Sequence, residues 1–130
     1  MAFVGKVYAH EKDENFAEFV DTLGPQAEKL KTWRPKQKLE KDGDSFKHVV
    51  IGDTETTEIA FKIGQEFDET VAPGRVSKTV FTLDGNTLTQ VQKFEDGLAI
   101  TTKREYSDEK LIVTITTNKW DGSAVRYYKA

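Results

Sequence analysis

Tight-turn signals recur along this chain at short intervals and restrict its fold more than any other feature. Asp-Gly pairs stand at 42–43, 84–85, 96–97 and 121–122, and Ala-Pro-Gly at 72–74 adds another turn. Asp-Gly favours two-residue β-hairpin turns, because both positions there need positive φ. The segments between these turns are rich in Val, Ile, Thr, Phe and Tyr, which is typical of strands. Short connections between successive strands predict an antiparallel meander.

The number of strands indicates how the sheet closes. We count about ten strands, one before a short helical region and nine after it. An open sheet of that size would leave long exposed edges, which closure into a barrel removes. An eight-stranded barrel already has room for side chains or one small ligand, so a larger one is expected to hold a cavity. The sequence therefore predicts an all-β, ten-stranded up-and-down antiparallel barrel, calycin or lipocalin-like, as a single domain over residues 1–130.

One region has the period of a helix. Asp13 is a candidate N-cap for a helix at 14–23, and Gly24 ends it. A second helix at 25–33 ends before Pro35, because the residue before proline disfavours helix. The two segments predict a helix-turn-helix lid. Its first apolar face consists of residues at the i, i+3, i+4 and i+7 spacing: Phe16, Phe19, Val20 and Leu23.

Composition excludes several classes of function. The chain has no cysteine, which excludes disulfides and a thiolate nucleophile and disfavours zinc. The acidic stretches at 41–45 and 53–58 lack the spacing of an EF-hand, so neither a metal nor a cofactor is expected. A net charge of -3 gives no reason to expect nucleic acid as a partner. With no secretory core near the start and no long apolar run, we expect a cytoplasmic protein.

Strand alternation predicts a partly polar interior. In residues 98–106 Arg104 shares the more apolar face, and near the end of the chain Arg126 and Tyr128 share one face. The strand at 88–94 would also direct glutamines inward. Because each buried polar group needs a partner, such an interior indicates a wet cavity for an amphipathic ligand. From this pattern alone, arginines that point outward or lie at strand ends remain the alternative.

The chain resembles the intracellular fatty-acid-binding proteins, the family that includes the cellular retinoid-binding proteins. The resemblance covers nearly all 130 residues and is carried by "FVGKVYAHEKDENFAEFVDTLG", "TTEIAFKIGQEFDETVAPGR" and "WDGSAVRYYKA". The ending is most similar to the gut branch described from insects. The resemblance implies a ten-stranded barrel closed by a helix-turn-helix lid, working as a monomer. The helical segment is a few residues shorter than usual, and Thr54 replaces a portal phenylalanine, which leaves the ligand entry route open.

The resemblance also implies a carboxylate site. Members of the family bind the ligand's carboxylate with an Arg-x-Tyr pair on the last strand, which falls on Arg126 and Tyr128, and a second arginine falls on Arg104. A guanidinium presents a planar fork of donors that fits a carboxylate, and a tyrosine hydroxyl can donate a further bond. Core packing is an equal alternative for each candidate that would line the ligand's tail: Phe16, Val20, Leu30, Trp33, Ile59, Phe61, Gln92, Phe94, Ile100, Val113 and Ile115.

The function expected from these features is non-covalent binding and intracellular transport of a long-chain fatty acid, without catalysis. A retinoid or other isoprenoid acid suits the same arginines. A small lipid-modifying enzyme is the alternative of a different class, although His10 and His48 have no recognisable triad setting and are expected to be surface or hydrogen-bonded histidines. A structural barrel without ligand is a further alternative, which a buried acid paired with Arg126 would favour.

A basic cluster on the second predicted helix suggests a second kind of contact. Lys29, Lys31 and Arg34 lie close together in an otherwise acidic chain. The resemblance implies that such a cluster can dock the lid transiently on anionic membranes. A solvated helix face is the alternative.

Overall fold

The structure is a computed structural model that describes residues 2–130. A short α-helix and a 3-10 helix follow the first strand, and nine strands follow them. The elements are β1 (Ala9–Glu14), α1 (Phe16–Thr22), the 3-10 helix (Pro25–Thr32), β2 (Lys36–Asp42), β3 (Ser45–Ile51), β4 (Thr56–Phe61), β5 (Phe67–Ala72), β6 (Arg75–Asp84), β7 (Thr87–Phe94), β8 (Ala99–Tyr106), β9 (Lys110–Thr117) and β10 (Trp120–Lys129). Within residues 2–130, no helix is long and apolar enough to cross a membrane.

The first helix begins later than the sequence predicts. Asp13 and Glu14 belong to β1, where they pair with β10, so the prediction of Asp13 as N-cap is wrong. The chain turns at Asn15, which caps α1 with a left-handed φ of 57°. Asparagine is among the few non-glycine residues that adopt this conformation readily. Strand pairing thus overrides the capping signal, and the side chain of Asp13 is available to the barrel.

The second helix is a 3-10 helix, which places its side chains differently from the prediction. Leu30 is half-buried and packs against the core, as expected, and Ala27 does the same. Trp33 instead takes an extended backbone with ψ 117° at the end of the helix, and its side chain is 46% exposed. Because the chain leaves the helix at Trp33, the apolar face does not extend to it. Trp33 does not join the buried core, and its contact with the ligand's tail stays a prediction.

The ten strands form the predicted up-and-down antiparallel meander, divided between two sheets. One sheet has the order β1-β10-β9-β8-β7-β6-β5, and the other has the order β2-β3-β4. The sheets meet along one side at Tyr8 and Gln37, whose backbones exchange N–H···O bonds of 2.8 and 3.0 Å. The ten-stranded, all-β prediction is confirmed, with both sheets forming the wall around a shared core.

On the other side, aromatic side chains connect β4 to the larger sheet. Phe61 of β4 stacks on Phe81 of β6 with ring centroids 3.9 Å apart, and Phe46 and Phe67 extend the stack at 5.8 and 6.2 Å. Gly64 donates its N–H to the Phe81 carbonyl at 2.8 Å, which ties the connecting loop to the same point. Aromatic packing thus joins the two sheets where residues 2–130 form no strand ladder between β4 and β5.

Alternation along the strands directs polar groups into the barrel. On β8, Ile100, Thr102 and Tyr106 are buried on the face that also carries Arg104. On β10, Arg126 and Tyr128 are buried on one face. The face assignments made from sequence for these strands are confirmed, and they place both arginines inside.

Candidate functional site

The interior of the barrel is unusually polar for a protein core. Within residues 2–130, eight buried polar side chains lie among the apolar ones: Gln37, His48, Glu69, Ser77, Thr79, Gln90, Thr102 and Arg126. Buried polar groups are destabilising unless hydrogen-bonded, so each of these restricts what else the interior can hold. The two arginines differ sharply in how they are satisfied.

Arg104 lies deep in the barrel without a hydrogen-bonding partner on two of its nitrogens. Within residues 2–130, Nε and Nη1 are buried and have no acceptor. Burial lowers the pKa of Arg104, and the neighbouring Tyr106, Tyr128 and Glu69 partly offset this. The residue is nevertheless only half-buried by accessible surface. Its side chain lies on the face of β8 that carries the buried Thr102 and Tyr106, so it points into the barrel.

Tyr106 lies two residues further along the same face of β8. Its hydroxyl is buried and, in the described part of the chain, makes no hydrogen bond. Its ring stacks on Phe3 at 4.7 Å and packs against Tyr8 at 5.7 Å. Burial raises the pKa of Tyr106 to about 12, although the charge of Arg104 lowers it. The hydroxyl therefore remains protonated and able to donate at neutral pH.

Arg126, by contrast, is engaged by protein on several sides. Nε donates to Asp13 Oδ1 at 2.9 Å, and Nη2 donates to the carbonyl of Trp33 at 2.6 Å. The guanidinium also lies 3.9 Å from the centroid of the Phe16 ring. These contacts link β10 to β1, to α1 and to the end of the 3-10 helix. A half-buried acid, Asp13, thus pairs with Arg126, and an acid in this position favours the structural alternative at this arginine.

Asp13 also receives a hydrogen bond from a histidine. His10 Nε2 and Asp13 Oδ1 are 2.6 Å apart, and the His10 ring meets the Tyr128 ring edge-on at 5.4 Å. Burial acts to raise the pKa of Asp13, but hydrogen bonds and charge from His10 and Arg126 outweigh it, so the pKa lies below 3.8. Asp13 is therefore ionised at neutral pH and serves as the counter-ion of Arg126.

A buried carboxylate lies inside the barrel on β5. Glu69 Oε1 accepts hydrogen bonds from Thr79 Oγ1 at 2.9 Å and from Gln90 and Gln92 Nε2 at 3.1 Å each. The glutamines predicted to point inward from β7 therefore do so, and they solvate this acid. Ser77 extends the network through a 2.7 Å bond to Thr79.

The two histidines are both hydrogen-bonded, as expected. His48 is buried with Nε2 3.0 Å from Gln37 Oε1. Burial, assisted by the charge of Arg104, holds its pKa well below 6.5. His48 is therefore a neutral interior group at pH 7.

Most residues predicted to line the ligand's tail do reach the interior. Seven are buried in the shared core: Phe16, Val20, Phe61, Phe94, Ile100, Val113 and Ile115. Leu30, Ile59 and Gln92 are half-buried, and Trp33 is exposed. Contact of any of them with a ligand remains a prediction. A surface pocket of about 290 Å³ between β4 and β5 has Phe61 and Phe67 in its lining.

Sequence reasoning overlooked three interior groups. Asp13 is assigned to a helix start, although its pairing opposite Arg126 depends on a register shift in β1 between His10 and Lys12. Glu69 shares strand parity with Phe67, a signal that could have found it. Tyr106 is placed on the correct face without a role. No local motif marks any of these positions.

Comparison with known proteins gives a consistent result. No protein-family model matches the chain. It is 44% identical to fatty acid-binding protein 1 of Manduca sexta over the full length of both proteins. The solved structure of a fatty-acid-binding protein isolated from Manduca sexta has a TM-score of 0.88 and 40% identity, covering 98% of this chain and 99% of that one.

A more distant relative has been solved with a lipid. The Schistosoma mansoni fatty acid binding protein in complex with arachidonic acid matches with a TM-score of 0.86 and 26% identity, covering 98% of this chain and 95% of that one. Fold, interior arginines and full-length similarity agree with one another. The chain belongs to the fatty-acid-binding protein family.

Proposed function

We propose that this chain binds a long-chain fatty acid non-covalently inside its barrel and carries it through the cytoplasm as a single-domain monomer. The observation that carries the proposal is Arg104, a buried guanidinium for which residues 2–130 supply no acceptor at Nε and Nη1. Buried guanidinium nitrogens without an acceptor are destabilising, and a ligand carboxylate would supply the missing acceptors. Charge-assisted bonds from guanidinium to carboxylate are short and strong. Arg126 and Tyr128 are the other head-group candidates from the sequence, but Arg126 is already paired with Asp13 and with the Trp33 carbonyl.

The tail provides most of the expected affinity. At about 0.8 kcal/mol per buried methylene, fifteen methylenes set a ceiling of roughly 12 kcal/mol. Ordering of ligand and protein subtracts several kcal/mol, so we expect a sub-micromolar dissociation constant. The head group then selects acids over alcohols and fixes the orientation of the ligand.

The competing functions fit less well. A purely structural barrel accounts for the Arg126–Asp13 pair but not for Arg104. An isoprenoid acid would suit Arg104 equally, and the relative solved with arachidonic acid supports a fatty acid. For catalysis, both histidines are already bonded to Asp13 and Gln37, and relatives are named for binding rather than for a reaction. We therefore propose a carrier, not an enzyme.

Contact of the lid with anionic membranes is a second, weaker part of the proposal. Lys29 and Arg34 are exposed. Lys31 is paired with Asp21 at 2.6 Å and Glu28 at 3.0 Å, so its charge is largely neutralised. Any attraction of about 1 kcal/mol per basic residue then comes mainly from Lys29 and Arg34. Transfer of a fluorescent fatty acid to anionic vesicles tests this, and equal rates to neutral vesicles would contradict it.

Calorimetric titration of delipidated protein with oleic acid, and separately with oleyl alcohol, tests the main proposal. Tight one-to-one binding of the acid and much weaker binding of the alcohol are expected, because only the acid offers a carboxylate to the interior arginines. If neither lipid gives heat and neither displaces a fluorescent lipid, the proposal is wrong, even though the fold stands.

A further inference from the structure

The two interior arginines are unequal before any ligand arrives. Arg126 has an ionised counter-ion, a backbone carbonyl and an aromatic face as neighbours, namely Asp13, Trp33 and Phe16. Arg104 has the Phe81 ring at 6.0 Å and, within residues 2–130, no acceptor for Nε or Nη1. A carboxylate that enters the barrel therefore finds the Arg126 guanidinium already hydrogen-bonded to protein and the Arg104 guanidinium with free donors.

Asp13 has an advantage over any ligand in competing for Arg126. It stands directly opposite Arg126 in the pairing of β1 with β10, so the fold itself brings the two charges together. An intramolecular partner acts at an effective concentration in the millimolar range or above, far beyond that of a free fatty acid. Displacing Asp13 would also leave a largely buried carboxylate with His10 as its remaining partner.

We propose that Asp13 keeps Arg126 in an ion pair within the protein, so that the ligand's carboxylate binds Arg104 instead. The Tyr106 hydroxyl is the second donor to that carboxylate. Asp13 is then a specificity-determining residue that acts by charge competition, and Tyr106 is a ligand-binding residue. This inference rests on the proposed binding of a fatty acid, because it concerns where that ligand's head group lies.

Tyr106 fits the role of second donor by position and by charge state. It is two residues from Arg104 on the same face of β8, so their Cα atoms are about 7 Å apart. Both side chains are long enough for their polar ends to contact the same carboxylate. Its hydroxyl is buried and, among the described residues, unpartnered. A buried hydroxyl without a hydrogen-bonding partner is destabilising, and a ligand carboxylate that accepts its hydrogen bond would remove that penalty.

Two tyrosine-to-phenylalanine variants provide a matched test of the second donor. Tyr106→Phe and Tyr128→Phe each remove one hydroxyl from a buried ring. Titration with oleic acid is expected to show about a tenfold loss of affinity for Tyr106→Phe and less than about a threefold loss for Tyr128→Phe. Binding of oleyl alcohol should be unchanged in both. The reverse ranking would overturn the assignment of Tyr106.

The role of Asp13 is tested by rescue. Arg104→Gln is expected to weaken oleic acid at least about tenfold, because it removes the open guanidinium. In the double variant Asp13→Asn/Arg104→Gln, Arg126 has lost its counter-ion and should bind the carboxylate. The double variant should therefore bind oleic acid at least about threefold more tightly than Arg104→Gln alone. If the second substitution recovers nothing, Asp13 does not compete for Arg126 and the inference is wrong.

A third variant removes the whole ion pair, so that no buried charge is left alone. Asp13→Asn/Arg126→Gln should bind oleic acid within about threefold of the parent protein, since Arg104 and Tyr106 remain. A loss above about tenfold, with oleyl alcohol still bound, would place the carboxylate at Arg126 and overturn the inference. If the unaltered protein binds no oleic acid at all, the proposed function fails instead, so the two failures are distinguishable.

Discussion

His48 shows at the residue scale how the polar interior couples stability to pH. Its folded-state pKa lies well below 6.5, because burial and the charge of Arg104 disfavour the protonated ring. The unfolded chain therefore binds a proton that the folded chain does not, and stability must fall as pH drops below about 6.5. The slope reaches at most about 1.4 kcal/mol per pH unit.

The His48→Gln variant tests this dependence, because glutamine keeps an amide donor for Gln37 but does not titrate. Urea unfolding between about pH 7 and pH 5 should show a shallower loss of stability in His48→Gln than in the parent protein. Asp13 has its pKa lowered from 3.8, so its contribution is lost only in more acidic solution. Identical slopes for the two proteins would show that folding does not lower the pKa of His48.

For single residues, the sequence predicts the face on which a side chain lies better than the groups with which it forms hydrogen bonds or ion pairs. Arg104, Arg126 and Tyr128 are placed inside by strand parity alone, and the structure agrees. Asp13 could not be found in this way, because its approach to Arg126 depends on pairing between the first and last strands and on a bulge. Such long-range register has no local signal in the sequence.

Among the elements, β6 has a special position because it receives the aromatic stack that replaces a strand ladder between β4 and β5. Phe81 is fully buried and contacts Phe61 and Phe67. Phe81→Ala should therefore lower the free energy of unfolding by about 3–5 kcal/mol, measured by urea denaturation. The same experiment on Thr82→Ala, an exposed position next to it on β6, should give a change within about 0.5 kcal/mol. A small loss for Phe81→Ala would mean that this stack does not hold the two sheets together.

The elements themselves were largely predictable, because hairpin turns are encoded locally. The Asp-Gly pairs at 42–43, 84–85 and 96–97 lie in turns or strand ends, with Gly43, Gly85 and Gly97 at positive φ. The turn predicted at 121–122 is wrong, because this pair lies within β10 and the chain turns at 118–119 instead. The helices were less accurate. Asp13 and Glu14 pair as part of β1 instead of starting the first helix. The second segment forms a 3-10 helix, which the spacing of apolar residues does not distinguish from an α-helix.

Across the whole molecule, the charged groups inside the barrel differ in how well the protein itself satisfies them. Arg126 is matched by Asp13, and Glu69 is solvated by Thr79 and two glutamines. Arg104 is the interior cation that, within residues 2–130, lacks acceptors at two nitrogens. The number of strands predicted a sheet that closes into a barrel. The division of the ten strands into two sheets depends on tertiary packing, which turn signals do not reveal.

A crystal structure of the delipidated protein soaked or co-crystallised with oleic acid tests this account most directly. The account predicts the tail among Phe16, Ile100 and Val113, and both carboxylate oxygens within about 3 Å of donors on Arg104 and Tyr106. The Asp13–Arg126 pair should remain intact. A carboxylate bonded to Arg126 with Asp13 turned away, or oleic acid bound only on the outer surface, would contradict it.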